Sequence, residues 1–265
     1  MAPAVVGSVW RYRGFIFSSV KREFQSRYRN SLLGGAWMVI NPLAMILVYT
    51  VIFSQLMRAR LPGVDSTLAY SVYLCAGSLT WGLFQDTLTR AQNVFLDQAN
   101  LIKKLNFPRI CLPVIVALNA LVNFAIVFAL FTIFLLVSNN FPGWAYFAIF
   151  PVLLLQVGFS LGLGVILGVL NVFFRDVGQL FGVIMQFWFW FTPIVYPSNV
   201  LPERIRGYLM YNPMARVITA YQDICVWHRM PNWHSLWPVL ALTILFCVVA
   251  ASMFRKHSAE MVDEL

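Results

Sequence analysis

Chemistry needs nucleophiles, acids, bases or metal ligands at set spacings, so the ionisable residues come first. There are four lysines, Lys21, Lys103, Lys104 and Lys256. A phosphate-binding P-loop needs Gly-Lys-Ser/Thr, with the lysine reaching the phosphates. None of the four follows a glycine, so the sequence holds no such motor. A proton- or sodium-driven carrier usually places carboxylates or histidines inside the membrane. Here Asp86, Asp97, Asp176, Glu203 and Asp223 stand at the ends of apolar stretches, and His228, His234 and His257 are isolated. Asp86 precedes Arg90 by four residues, the spacing of a helical ion pair. There is no His-Glu-x-x-His and no Ser/His/Asp set at a membrane face. A transferase acting on lipid-linked sugars would need such a cluster. Cys75, Cys111, Cys225 and Cys247 show no metal-ligand spacing, and the first, second and fourth read as small core residues.

The elements that carry these residues are set by composition. Of 265 residues, 60% are hydrophobic and 11% charged, against about 25% charged in soluble domains. The reading is an all-α membrane protein. A bilayer core needs about 20 apolar residues as helix. Six stretches qualify, from Leu33 to Met57, Tyr70 to Thr89, Ile110 to Val137, Trp144 to Phe173, Leu180 to Tyr196 and Leu236 to Phe254. The fourth carries Gly158, Gly162, Gly164 and Gly168, small residues that let helix backbones approach in lipid.

Orientation follows from Lys and Arg. With the N-terminus in the cytoplasm, thirteen basic residues lie inside and six outside, so both termini are expected inside. The net charge of +9 then reads as flanking charge on spans rather than a nucleic-acid surface. No cleavable signal peptide is expected, because the first apolar stretch starts only near Leu32.

Residues 1–32 form an amphipathic segment for the cytoplasmic membrane surface. On a helical wheel Trp10, Ile16, Phe17, Val20, Phe24 and Tyr28 fall on one side, opposite Arg11, Lys21, Arg22 and Arg29, with Arg13 and Arg27 intruding on the apolar arc. Residues 33–196 hold spans one to five. Residues 197–235 carry Pro197, Pro202, Pro213 and Pro231 among half-apolar runs, and read either as short helices dipping into the outer leaflet or as a small extracytoplasmic cap. Irregular backbone at that depth needs burial in protein or a cavity. Residues 236–254 form the last span and 255–265 a cytoplasmic tail. With neither motor nor ion relay in the chain, energy must arrive through a cytoplasmic contact. The loop from Asn100 to Arg109, basic and partly apolar, is either that contact or an ordinary positive-inside loop.

The run Arg27-Tyr-Arg-Asn-Ser-Leu-Leu-Gly34-Gly-Ala-Trp37-Met-Val-Ile-Asn41-Pro42 resembles the start of the membrane subunits of type-2 ABC exporters for polysaccharides. Asn100-Leu-Ile-Lys-Lys-Leu-Asn-Phe-Pro-Arg109 is similar to the coupling helix of that family, which docks into a cleft of the ATPase. Asn171-Val-Phe-Phe-Arg175-Asp176 resembles its Arg-Asp loop. Thr192-Pro-Ile-Val-Tyr196-Pro197, followed by Tyr211-Asn-Pro213, resembles its outer gate with re-entrant helices. The resemblance spans the chain in order and is nearest to the O-antigen (lipopolysaccharide) export permeases, with capsule, teichoic acid and small-drug permeases as alternatives. Gly34-Gly35 departs from the Gly-Pro of many relatives.

That resemblance implies a permease subunit, not an enzyme, in the bacterial inner membrane. It implies a homodimer bound to two copies of a cytoplasmic ATPase, with ATP on the partner, no cofactor on this chain, and a lipid-linked polysaccharide as cargo. ATPase coupling then falls to Arg22, Arg27, Arg29, Asn100, Leu101, Lys103, Lys104 and Phe107. A channel between subunits would draw its sugar-stacking rings from Trp37, Tyr49, Phe53, Trp81, Phe84, Phe187, Trp188, Trp190 and Tyr196, some of which instead face lipid or core. Arg204, Arg206 and Arg216 run against the charge rule. They suit either the phosphate of a lipid carrier or bulk phospholipid. With only eleven residues after Phe254, no carbohydrate-binding domain is expected at this end.

Overall fold

The computed structural model describes residues 10–28, 33–52, 68–104, 108–198, 201–257 and 260–264, with Gly7 and Leu61 in addition. Among these residues all regular structure is helical. The main helices are α1 (Arg13–Tyr28), α2 (Trp37–Tyr49), α3 (Ala69–Asp97), α4 (Ala99–Lys104), α5 (Cys111–Val137) and α6 (Ile149–Phe173). They continue as α7 (Asp176–Trp190), α8 (Glu203–Leu209), α9 (Pro213–Cys225), α10 (Trp233–His257) and α11 (Glu260–Glu264).

Four segments among the described residues are long and apolar enough to cross a bilayer: Gly34–Ile52, Cys111–Val137, Gly143–Phe173 and Trp233–His257. The sequence pattern suggests six, and the two others differ for physical reasons. The stretch from Tyr70 to Thr89 lies within α3, whose 29 residues would span about 43 Å at 1.5 Å per residue. Gln85, Asp86, Arg90, Gln92 and Asn93 make its second half too polar to count. The stretch from Leu180 to Tyr196 forms a helix only from Asp176 to Trp190, about 22 Å long, and then turns.

α3 and α6 are the spine. α3 packs against α6, α5 and α9, and α10 covers the other side of α6. Lipid offers no hydrophobic drive between helices, so close van der Waals contact must hold them. The glycines of α6 provide it on two faces. A Cβ on Gly158 would stand 3.1 Å from Thr243 Cγ2, and one on Gly162 would stand 3.0 Å from the Cys247 nitrogen, both on α10. A Cβ on Gly164 would stand 2.5 Å from Ala91 Cβ, and one on Gly168 would stand 2.7 Å from the Ala91 carbonyl oxygen, both on α3. Each pair is spaced by four, so each face seats one neighbour.

Some polar groups inside this spine bond across helices, while Gln156 Oε1 and Thr87 Oγ1 are buried without a partner among the described residues. Gln156 of α6 donates to the Thr80 carbonyl at 2.7 Å. Asn171, 2% exposed at the end of α6, accepts from the Gly178 N–H at 3.0 Å and donates to Asn93 Oδ1 at 3.2 Å. It thereby staples the start of α7 to α3. Before α2 the backbone passes through Gly34 at φ +50°, a left-handed geometry that costs a residue with a Cβ.

Candidate functional site

At one end of the molecule α1 lies on α5. Tyr12, Phe15, Ile16 and Val20 pack against Cys111, Val114, Ile115 and Leu118. The apolar arc expected from the wheel therefore divides. Ile16 and Val20 face protein, whereas Trp10, Phe17 and Phe24, spaced by seven, stay exposed. The Arg13 guanidinium sits 5.0 Å from the Trp10 ring centre, so this intruding charge is accommodated by a cation–π contact. Glu23 fixes the helix laterally: it accepts from Arg90 at 2.5 Å and from Asn119 at 2.5 Å. Arg90 also donates to Asp86 at 2.7 Å, the pair expected from spacing. Glu23 itself was not legible as a partner, although it is the first acid in the chain and stands alone among basic residues.

The short helix α4 follows α3 after a single residue. Ile102 points into the core beside Phe254 and Met261, and Leu101 packs against the same cluster. Asn100 and Lys103 are exposed, as is Arg22 across a groove of about 430 Å³ between α1 and α3. The apolar side of α4 is held against the core and its polar side is exposed. Arg29 and Phe107, and the side chains of Arg27 and Lys104, lie outside the described residues.

The aromatic candidates separate into two groups. Trp81 is 4% exposed and Phe84 fully buried. They form a wedge with Trp188, whose ring lies 6.4 Å from Trp81 and 5.2 Å from Phe84. Locked edge-to-face in the interior, Trp81 and Phe84 leave no free ring face for stacking in this chain. Trp37, Phe187 and Trp190 are exposed. Tyr49 and Tyr196 are half-buried, and Phe53 lies outside the described residues. On α7 the exposed residues Leu180, Val183, Ile184, Phe187 and Trp190 fall on one helical face.

Beyond Trp190 the chain turns back, and the turn is pinned from several helices. Tyr70 donates to the Val195 carbonyl at 2.6 Å, Tyr73 to that of Pro193 at 2.9 Å, and Gln222 to Pro193 at 3.1 Å. Gly77 permits this approach, since a Cβ there would stand 3.1 Å from Gln222 Nε2 and 3.3 Å from Ile194 Cγ2. Asn212 is the hub. Its Oδ1 accepts from Trp188 Nε1 at 2.9 Å and from the Met214 N–H at 3.0 Å, and its Nδ2 donates to Thr192 Oγ1 at 3.0 Å. One side chain caps α9 and ties it to the end of α7.

Arg204, Arg206 and Arg216 are not equivalent. Arg216 donates to the Ser235 carbonyl at 2.8 Å and through Nε to that of Met210 at 2.8 Å, so it clamps backbone. Arg206 donates to the Ser198 and Leu201 carbonyls, each at 3.3 Å. Arg204 is exposed and forms no hydrogen bond or ion pair with the described residues. Nearby, Asp223 pairs with Arg229 at 2.6 Å. Burial raises the Asp223 carboxyl above its usual range, opposed by the hydrogen bond and charge of Arg229.

The geometry is that of a helical membrane protein with exposed polar side chains on α1 and α4, an exposed aromatic face on α7 and a pinned turn after it. Relatives share this chain almost end to end. It is 31% identical to the O-antigen export system permease protein RfbA of Myxococcus xanthus, over 98% of this chain and 99% of that one. A protein of the same name from Klebsiella pneumoniae is 29% identical over 92% of this chain and 93% of its own. The polysialic acid transport protein KpsM of Escherichia coli is 21% identical over 91% of this chain and 92% of its own. The family model described as ABC-2 type transporter matches residues 15–226, and the chain belongs to that family.

Proposed function

We propose that this protein is the permease subunit of an ATP-driven exporter that moves lipid-linked polysaccharide of the O-antigen type across the inner membrane. The observation that carries the reading is the end-to-end likeness to O-antigen export permeases. In this reading the chain crosses the membrane six times, α3 being the more polar crossing and α7 the short one, with both termini cytoplasmic. Two copies form the channel, and two ATPase copies bind beneath them. Helices less apolar than a lone span suit positions beside other protein or a water-filled path.

The exposed aromatics Trp37, Phe187 and Trp190 supply channel rings, with Tyr49 and Tyr196 at the margins. Rings stack on the apolar faces of sugars and tolerate sliding. Asn100, Lys103 and Arg22 meet the ATPase, together with Lys104, Phe107, Arg27 and Arg29. Arg204 is the outer arginine best suited to an anionic lipid carrier. Export of capsule polymer is the alternative, favoured by the more distant likeness to the KpsM proteins.

The test is co-expression with a candidate ATPase and co-purification of the pair, first as wild type and then with Lys103→Glu and Lys104→Glu together. A complex lost on charge reversal supports the docking end. A well-folded wild type that binds no ATPase and restores no surface polysaccharide in an export-deficient strain would overturn the reading.

A further inference from the structure

A groove of about 260 Å³ opens between the first two turns of α6 and the first two turns of α10. Its cause lies in the register of the two helices. Gly158 meets Thr243 and, four residues on, Gly162 meets Cys247, so α6 and α10 run parallel and their backbones approach over these glycines. Nearer the helix starts the lining changes to Val152 and Leu155 on one side and Leu236 and Leu240 on the other. Close approach in lipid needs small residues, and these branched side chains hold the backbones apart. Val152 and Leu236, 0% and 4% exposed, form the floor, while Trp233 and Trp237, 45% and 63% exposed, stand at the rim. Among the described residues no charged side chain lines the groove.

Both helices are long and apolar enough to cross a bilayer, so lipid or another protein covers this face. The groove runs from Trp233 to Leu240, about 10 Å at 1.5 Å per residue, a third of a hydrocarbon core of about 30 Å. That length suits the upper part of one hydrocarbon chain. A stable protein interface buries about 800 Å² on each partner, far more than so short a slot offers. Trp144 and Phe147, in the turn that leads into α6, are exposed like Trp233 and Trp237 at the start of α10. Tryptophan favours the level of the lipid headgroups. Neither helix, nor residues 139–148 and 226–232 that lead into them, carries an Asp or Glu, so neither brings a negative charge against a lipid phosphate at the mouth.

We propose that this groove retains one acyl chain of a phospholipid, its phosphate level with the start of α10. Retention differs from the passing contact of bulk lipid because the floor lies between two helices. A seated chain packs on both and extends their contact beyond the glycines. That the leaflet is the extracytoplasmic one rests on the proposed function; the seat itself rests only on α6 and α10 crossing a bilayer.

The full-length chain is purified, stripped of lipid by detergent washing, and titrated with palmitoyl-oleoyl phosphatidylethanolamine under native mass spectrometry. Saturable binding is expected in the wild type. Leu155→Trp, which fills the groove, should bind about tenfold more weakly, as fits displacement of a few methylenes. Val248→Trp, at an exposed position of α10 beyond the glycines, should bind like the wild type. Should Leu155→Trp fail to fold, Leu240→Trp at the rim carries the same expectation. No saturable binding, or equal binding by the filled and control variants, overturns the site. So does tighter binding of a polyisoprenoid phosphate than of the phospholipid, which would assign the groove to another lipid. Loss of a chain dimer in Leu155→Trp but not in Val248→Trp also overturns it, by assigning the face to a second copy. Lost lipid retention beside intact export removes only this site; failed export and ATPase pairing beside intact retention removes only the proposed function.

Discussion

Glu23 on α1 and Arg90 on α3 meet at 2.5 Å across 67 residues of sequence. Arg90 is held on its other side by Asp86, and Glu23 by Asn119 of α5, so three helices share one polar knot. Helix α1 is thus tied to the spine through a charged contact, with apolar packing on α5 beside it. Both partners are partly exposed, so the pair contributes about 1 kcal/mol or less. Glu23→Gln should leave the global unfolding midpoint nearly unchanged but speed proteolysis before residue 33. Export should fall while ATPase binding persists. Protease mapping of Glu23→Gln beside the wild type reads this directly.

The spine depends on absent side chains. Gly164→Ala places a Cβ within 2.5 Å of Ala91 Cβ. Over-packing of this kind costs about 1–3 kcal/mol. Gly182→Ala, which meets nothing within 4 Å, is the matched control and should unfold like the wild type. Thermal unfolding in the same detergent compares them.

Asn212 should prove the most sensitive residue of the outer turn. Asn212→Ala removes an N-cap, worth about 0.5–2 kcal/mol, and strands the Trp188 indole N–H. Trp188 emission should shift as its hydrogen bond is lost, in a variant where other tryptophans are replaced. Unchanged emission would show that the turn is held by Tyr70, Tyr73 and Gln222 alone.

Burial separates the tryptophans by role. Trp81→Ala empties a packed wedge and should cost about 3–5 kcal/mol, seen as lower yield and midpoint. Trp190→Ala removes an exposed ring and should leave stability intact while slowing export. Paired stability and export assays on both variants decide the matter; equal export by Trp190→Ala and wild type would take that ring out of the path.

Arg204→Gln should lower export at unchanged stability, because Arg204 forms no hydrogen bond or ion pair with the described residues. Arg216→Gln should lower stability, since its guanidinium joins the end of α8 to the start of α10. An unfolding series across the two, read beside surface polysaccharide, tests the distinction.

What the sequence determined by itself is what local composition can carry. Apolar runs from Ile110 to Val137 and from Leu236 to Phe254 mark two spans, which fold as Cys111–Val137 and Trp233–His257, because a bilayer asks only for length and apolarity. Glycines every four residues mark α6 as a contact helix, and spacing alone pairs Asp86 with Arg90. The tertiary structure decided everything that depends on partners far apart in the chain. It buried Trp81 and Phe84 and exposed Trp190, although all three are aromatic residues in apolar runs. It turned Ile16 toward α5 and Phe17, one residue on, away from it. It satisfied Arg216 with backbone carbonyls and gave Arg204 no partner among the described residues. An aromatic ring or a guanidinium has the same chemistry in every setting, and what it does is set by which neighbours fill its contacts. Those neighbours arrive only when the helices pack.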